Sequence, residues 1–282
     1  MSSTKEYKEW KYILKRFSRN KGGMLGLIFL IAIFSMVVLT PFAGDPYKPN
    51  IDAILEPPSL EHLLGTDDVG RDVFARLLNG AQISLLVGVV ALVYGSLIGI
   101  PIGLISGWKG GLVDDILMRF VDVLWAFPTT FLALFILAVL GPSISNLIIV
   151  LGIIFIVPQA RIVRGQVLQV KSREYILAAK AIGLSQFRIL TRYVLPNIVA
   201  PIIVIATVRI GTTVTAESGL SFLGIGVPPP IPTWGRMLAD AWKYARTSTF
   251  IVFPPLVAIT VLVLGFNLVG DGLRDSLDPR LR

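Results

Sequence analysis

Six apolar stretches, separated by polar and mostly basic segments, decide what this chain can fold into. They run Gly23–Thr40, Ala81–Ser106, about Ile116–Leu140, about Ile144–Ala160, about Ile198–Ala216 and Phe250–Val269. A helix needs roughly 20 residues to cross a bilayer, within a range of ~17–25. The fourth stretch is marginal by that measure and ends at Pro158. Lipid offers no hydrogen-bond partner to a bare backbone, so each stretch is expected to be helical. Composition agrees: 54% of the 282 residues are hydrophobic and only 16% are charged, against about 25% in soluble domains. One soluble core of this length could not hide so much apolar surface. The expected class is an all-α membrane protein with six transmembrane helices.

The net charge of +8 would suggest nucleic acid on a soluble chain. Here its placement relative to the membrane matters, and no nucleic-acid partner is expected. With the N-terminus inside, segments 1–22, 107–115, 161–197 and 271–282 hold 18 of the Lys and Arg residues. Segments 41–80 and 217–249 on the other side hold 6. That bias predicts that both termini are cytoplasmic. The first stretch follows a long basic leader and exceeds the usual 7–15 residues of a signal peptide, so it reads as an anchor. Within 1–22, Trp10, Ile13, Leu14 and Phe17 recur at helical spacing opposite lysines. That pattern predicts a helix lying on anionic lipid. The chain then divides into a cytoplasmic amphipathic segment (1–22), a first span with an extracytoplasmic segment (23–77), a core of five spans (78–270) and a cytoplasmic tail (271–282).

Several intramembrane residues stand out. Gly95, Gly99, Gly103 and Gly107 share one face of the second span, where another helix can approach closely. Pro101 is expected to kink that helix. Asp114, Asp115, Arg119 and Asp122 open the third span at i,i+3 and i,i+4 spacing, which predicts local neutralised pairs near the interface rather than a proton relay. Arg209 and Glu217 lie on the fifth span. Either could line a pathway or anchor a helix.

Much chemistry is missing. There is no cysteine and one histidine, His62, so thiolate chemistry and histidine-rich metal sites are excluded. No Gly-Lys pair exists, so the chain has no phosphate-binding loop of that kind. Asp67, Asp68 and Asp72 do not follow the spacing of a calcium loop; Asp72 is expected to cap a helix starting near Val73. No catalytic constellation is present, and the chain reads as no enzyme, with no cofactor or metal of its own.

Segment 161–197 is the most informative. It reads as two short helices, the first capped by Ser172, started by Glu174 and ended by Gly183, the second capped by Ser185 and ended by Pro196-Asn197. Ala178, Ala179 and Gly183 are small enough to let the backbone dock closely on a partner. Glu174-Tyr175-Ile176-Leu177-Ala178-Ala179-Lys180-Ala181-Ile182-Gly183 with Leu195-Pro196-Asn197 resembles the EAA loop of binding-protein-dependent ABC importer permeases. Leu177 departs from the acidic residue usual before the two alanines. Leu64-Gly65-Thr66-Asp67, Gly70-Arg71-Asp72, Ala216 to Gly224, Trp234-Gly235, Gly270 to Asp275 and Leu277 to Arg280 resemble the C-type subunit of dipeptide and oligopeptide permeases. The resemblance covers about residues 10–282.

The resemblance implies a type I importer permease fold in a prokaryotic cell membrane. It implies a second permease subunit, two cytoplasmic ATPases carrying ATP and magnesium, and an extracytoplasmic solute-binding protein. Glu174, Tyr175, Ala178, Ala179, Lys180, Gly183 and Pro196 would form the ATPase-coupling loop. Import of di- or oligopeptides is the expected function. Nickel chelates or oligosaccharides are alternative cargoes on the same architecture. A secondary transporter lacks support from deep acids or repeated broken helices, and a membrane enzyme lacks a catalytic site.

Overall fold

The computed structural model describes residues 13–277. Trp10 and the rest of 1–12 lie outside them, as does the Asp278-Pro279-Arg280 motif, while Ile13, Leu14 and Phe17 of the expected surface helix are helical. Among the described residues every regular element is helical, and the single β-bridge joins Thr66 to Asp72. The long helices are α1 (Lys21–Leu39), α2 (Val73–Lys109), α3 (Gly111–Ala126), α4 (Thr129–Leu140) and α5 (Ile144–Lys171). A short helix, α6 (Glu174–Ala181), leads to α7 (Gln186–Phe222), α8 (Trp234–Trp242) and α9 (Phe253–Leu277).

Five helices are long and apolar enough to cross a membrane by themselves: α1, α2, α5, α7 and α9. The expected third span is instead a pair, α3 and α4, bent by 88°. The cause is local. Pro128 disfavours helical backbone at the residue before it, and Phe127 is extended at φ −86°, ψ 133°. Taken together, the pair is long and apolar enough to count as a sixth span. Asn20, at the head of α1, donates to Asp275 near the tail of α9 at 3.0 Å. The head of α1 and the tail of α9 therefore lie together, an arrangement that fits six crossings with the bent pair taken as one.

Three other expected boundaries move. Pro158 does not end the fourth span; α5 runs through it to Lys171, because tight packing against α2 holds the helix across one missing hydrogen bond. Pro196-Asn197 does not end a short helix either. Leu190–Val194 forms a π turn, with Leu195 N–H bonded to Leu190 C=O, and Pro196 falls in the first turn of the helix that follows. The wider turn makes room for the ring, and a first-turn residue needs no N–H donor. The expected tail from 271 is helical through Leu277.

The glycine face of α2 lies against α5. A β-carbon on Gly95 would stand 2.7 Å from Phe155 Cβ, on Gly99 2.9 Å from Ile156 O, on Gly103 2.7 Å from Val163 Cβ, and on Gly107 2.9 Å from Val167 Cβ. Helix backbones this close gain dispersion contacts that lipid tails cannot match. The charges at the start of α3 do not pair within their own helix. Asp114 takes a bidentate grip from Arg164 at 2.7 and 2.6 Å and also accepts from Ser106 Oγ. Asp122 binds Arg161 at 2.5 Å, and that guanidinium stacks on Trp125 at 3.8 Å. The partners come from α5, one helix away, because both carboxylates face it.

Candidate functional site

Two regions of the molecule stand out, one at the C-terminal end of α5 and one beside its first half. The first is the platform made by the end of α5, by α6 and by the start of α7. Arg173 is the N-cap of α6 and contributes no side-chain bond, while Ser172, the expected cap, donates to Gln169 C=O at 3.1 Å. Glu174 occupies the first turn, where a carboxylate meets the positive end of the helix. The helix ends in a Schellman motif. Leu184 N–H bonds Ala179 C=O at 3.1 Å, Gly183 N–H bonds Lys180 C=O at 3.0 Å, and Gly183 has φ +77°. Ser185 caps the next helix through Arg188 N–H.

This platform has an inner and an outer face. Ile176 and Ala179 are buried in a cluster with Trp108, Val163, Val167, Ile189, Val194 and Ile198. The small size of Ala179 therefore serves packing within this chain, contrary to its expected role as a docking surface. Outward stand Glu174, Tyr175, Leu177, Ala178, Ala181 and Ile182, followed by Phe187. Ile182 is 76% and Phe187 77% exposed. Pro196 is also exposed. Lys180 reaches back over the Trp108 ring at 4.8 Å, a cation–π contact. Lys171 donates to Trp108 C=O at 2.5 Å, satisfying a terminal carbonyl of α2. α6 is thus packed against α2, α5 and α7 together.

The second region is a cavity of about 380 Å³ among α4, α5 and α7. Its polar lining consists of Arg209 and the threonines Thr129, Thr130, Thr212, Thr213 and Thr215. Phe155, Pro158 and Leu151 form an apolar wall, and Ala216 and Gly219 keep α7 slim beside it. Thr212 and Thr213 both donate to Arg209 C=O, at 3.0 and 2.7 Å. Their hydrogens are committed to backbone, so their lone pairs and the guanidinium N–H groups are what the cavity presents. No carboxylate pairs with Arg209 among the described residues. A bare guanidinium at mid-span costs about 3 kcal/mol or more in lipid, which favours a wet cavity around it.

Glu217 goes elsewhere. It is fully buried, accepts from Ser221 Oγ at 2.7 Å, and lies 3.4 Å from the hydroxyls of Ser84 and Ser218. Ser84 Oγ accepts from Trp234 N–H at 3.3 Å, and Trp234 Nε1 donates to Leu77 C=O at 3.0 Å. Glu217 thus joins α7, α2 and α8. Gly235 permits the contact, since a β-carbon there would come within 2.6 Å of Ser218 C=O. Arg209 and Glu217, grouped by sequence, sit in different environments. Sequence reasoning missed Thr129, Thr130 and Ser84, and gave Ser221 and Trp234 no role beyond their place in the resemblance motifs. The Phe127-Pro128 pair inside an apolar run was the available signal for the first two.

On the segment between α1 and α2, Asp67 holds Arg71 at 2.7 Å and Arg76 at 3.3 Å, and Asp72 accepts from Ala75 N–H as a helix cap at 2.8 Å. His62 Nδ1 meets Asp72 at 2.9 Å. Burial, helped by the neighbouring carboxylates Asp67 and Asp240, pushes Asp68 above the usual carboxylate range.

Residues 99–282 match the family model of binding-protein-dependent transport system inner membrane components, and residues 8–58 match the N-terminal TM domain of oligopeptide transport permease C. The oligopeptide transport system permease protein OppC of Bacillus subtilis is 41% identical over 99% of this chain and 92% of its own length. The dipeptide transport system permease protein DppC of Alkalihalophilus pseudofirmus is 39% identical over 97% and 90%. The glutathione transport system permease protein GsiD of Shigella dysenteriae is 41% identical over 97% and 91%. A solved structure of the MetNI methionine ABC transporter in an inward-facing conformation covers 72% of this chain and 97% of its own, with a TM-score of 0.59 and 20% identity. That likeness fixes the fold as the type I importer permease. With a family model over most of its length and relatives near 40% identity end to end, the chain belongs to the binding-protein-dependent transport system inner membrane components, of the oligopeptide permease C type.

Proposed function

We propose that this chain is one of two permease subunits of an ABC importer for small peptides. The carrying observation is the two-faced platform: an inner face locked into α2, α5 and α7, and an outer face of exposed apolar side chains. An exposed apolar patch at the end of a helical bundle calls for a partner. Cytoplasmic ATPases are that partner in this reading, and ATP with magnesium belongs to them. A second permease subunit completes the half-open cavity at Arg209, and an extracytoplasmic binding protein delivers the cargo. The relatives named for oligopeptides, dipeptides and glutathione all point to small peptides. They give no support to nickel chelates or oligosaccharides. The 18-to-6 charge bias supports a cytoplasmic platform with both termini on its side.

The absence of cysteine makes a clean test. Single cysteines at Ile182 and Ala178 should cross-link to the ATPase in membranes, and one at buried Ala179 should not. A membrane-impermeant thiol reagent should label Leu60→Cys in intact cells and leave Ile182→Cys unmodified. Labelling of Ile182→Cys from outside would refute the orientation, and failure of both outer positions to cross-link would refute the docking face.

A further inference from the structure

The cavity beside α4, α5 and α7 carries a chemical preference. Resting on the reading of this chain as a peptide importer subunit, we propose that Arg209 is a transient binding site for a carboxylate of the passing peptide. Four observations converge on it. Arg209 lies near the middle of α7, on a segment apolar enough to span the bilayer. It lines a cavity of about 380 Å³, a volume within the range of small-ligand sites. No acidic side chain of the described residues neutralises it, whereas Arg161, Arg164, Arg71, Arg76 and Arg236 are each matched to an aspartate. The hydroxyls of Thr212 and Thr213 donate to the Arg209 carbonyl, so beside them the guanidinium is the donor left to face an incoming anion.

A guanidinium offers two parallel N–H groups at the spacing of a carboxylate. Every unmodified linear peptide carries a C-terminal carboxylate, and an acidic side chain presents the same group. The site therefore recognises a feature common to all such cargoes without reading their sequence. The slim positions Ala216 and Gly219 on the same wall leave room for variable side chains. The apolar wall of Leu151, Phe155 and Pro158 provides no competing charge, so the interaction strengthens when water is excluded. Release follows when water or the closing of the cavity restores the hydration of both ions.

The test uses the complete transporter in proteoliposomes, with peptides preloaded on the binding protein and loading measured beforehand. Trialanine, trialanine amide and Ala-Asp-Ala amide are compared at saturating loaded binding protein. For R209Q, trialanine uptake per loaded molecule should fall about tenfold or more, the scale of a lost charge-assisted hydrogen-bond pair. R209K, which keeps the charge but not the two parallel N–H groups, should retain only part of it. Trialanine amide should pass equally through the wild type and R209Q, and Ala-Asp-Ala amide should respond as trialanine does if either carboxylate serves. ATPase stimulation by the loaded binding protein should persist in R209Q. Equal trialanine uptake by the wild type and R209Q overturns the proposal. So does an equal loss for the acid and the amide, or a failure of R209Q to assemble, since either makes Arg209 a structural anchor. If the wild type carries none of these peptides, the transport reading itself falls, which is a different result from any confined to R209Q.

Discussion

Replacing Gly103 by alanine should loosen the membrane core, whereas the same change at Gly165 should tighten it. A β-carbon at Gly103 would stand 2.7 Å from Val163 Cβ and 3.0 Å from Arg164 N. These are atoms of α5 at or next to its backbone, so the helix itself must move. Overpacking of this kind costs about 1–3 kcal/mol. Alanine gains back about 1 kcal/mol in helix propensity over glycine. The net loss at Gly103 is therefore up to about 2 kcal/mol. At Gly165, also within α5, a β-carbon meets nothing within 4 Å, and only the propensity gain of about 1 kcal/mol remains. Two chemically identical substitutions thus differ in sign because one helix face is in contact and the other is open. Thermal unfolding of the purified chain in detergent, followed by tryptophan fluorescence, reads the difference. G103A should melt below the wild type and G165A at or above it. A G103A protein as stable as the wild type, or a G165A protein equally destabilised, would refute the reasoning from close approach.

Other perturbations separate the roles of single residues. Gly183→Val forces a β-branched residue to φ +77° at a cost of about 1–2 kcal/mol, with no clash inside the chain since the space there is open. The protein should insert normally while uptake falls, and Gly183→Asn should be milder; normal uptake by the valine variant would make the turn irrelevant to coupling. Ile182→Asp should release the ATPase from purified complexes without unfolding the chain; retention of a full ATPase complement would count against the outer face. Glu217→Ala leaves the hydroxyls of Ser84, Ser218 and Ser221 short of a partner and should destabilise the chain by about 3 kcal/mol, with Glu217→Gln less harmful; an unchanged melting temperature would show that the cluster is not a tie. Asp68→Asn should raise stability at neutral pH and lose its advantage as pH falls through the raised titration point of Asp68, because burial and Asp67 already oppose its charge; a destabilised variant at neutral pH would contradict this.

The long helices were legible because lipid makes apolar length a nearly sufficient signal. Val73 and Asp72 were placed correctly by cap chemistry alone. The turn at Gly183 followed from the one residue type that adopts that backbone without cost. The errors also have physical causes. Pro128, Pro158 and Pro196 look alike in sequence, yet only Pro128 breaks a helix. Pro158 is held by the α2 seam and Pro196 by a π turn, and both depend on tertiary contacts. Asp115 and Asp122 were assigned to Arg119 on their own helix, because spacing reveals only such neighbours; Asp122 instead binds Arg161, 39 positions away, and Asp114 binds Arg164, 50 away. Ala178 and Ala179 are adjacent and chemically identical, so only the packed structure tells which of them turns inward. Lining a pathway was one of two roles expected for Arg209, and the cavity's wall from α4 was hidden by the unrecognised bend.

The central claim is that this chain moves peptides by coupling to ATP hydrolysed on other subunits. The most direct measurement is uptake of labelled trialanine by proteoliposomes holding this chain, its partner permease and the ATPases. ATP is supplied on the ATPase side and the loaded binding protein on the other. Uptake should require both, should continue when ion gradients are collapsed, and should stop when the ATPases are omitted. Uptake that follows an imposed proton or sodium gradient without ATP would contradict the account.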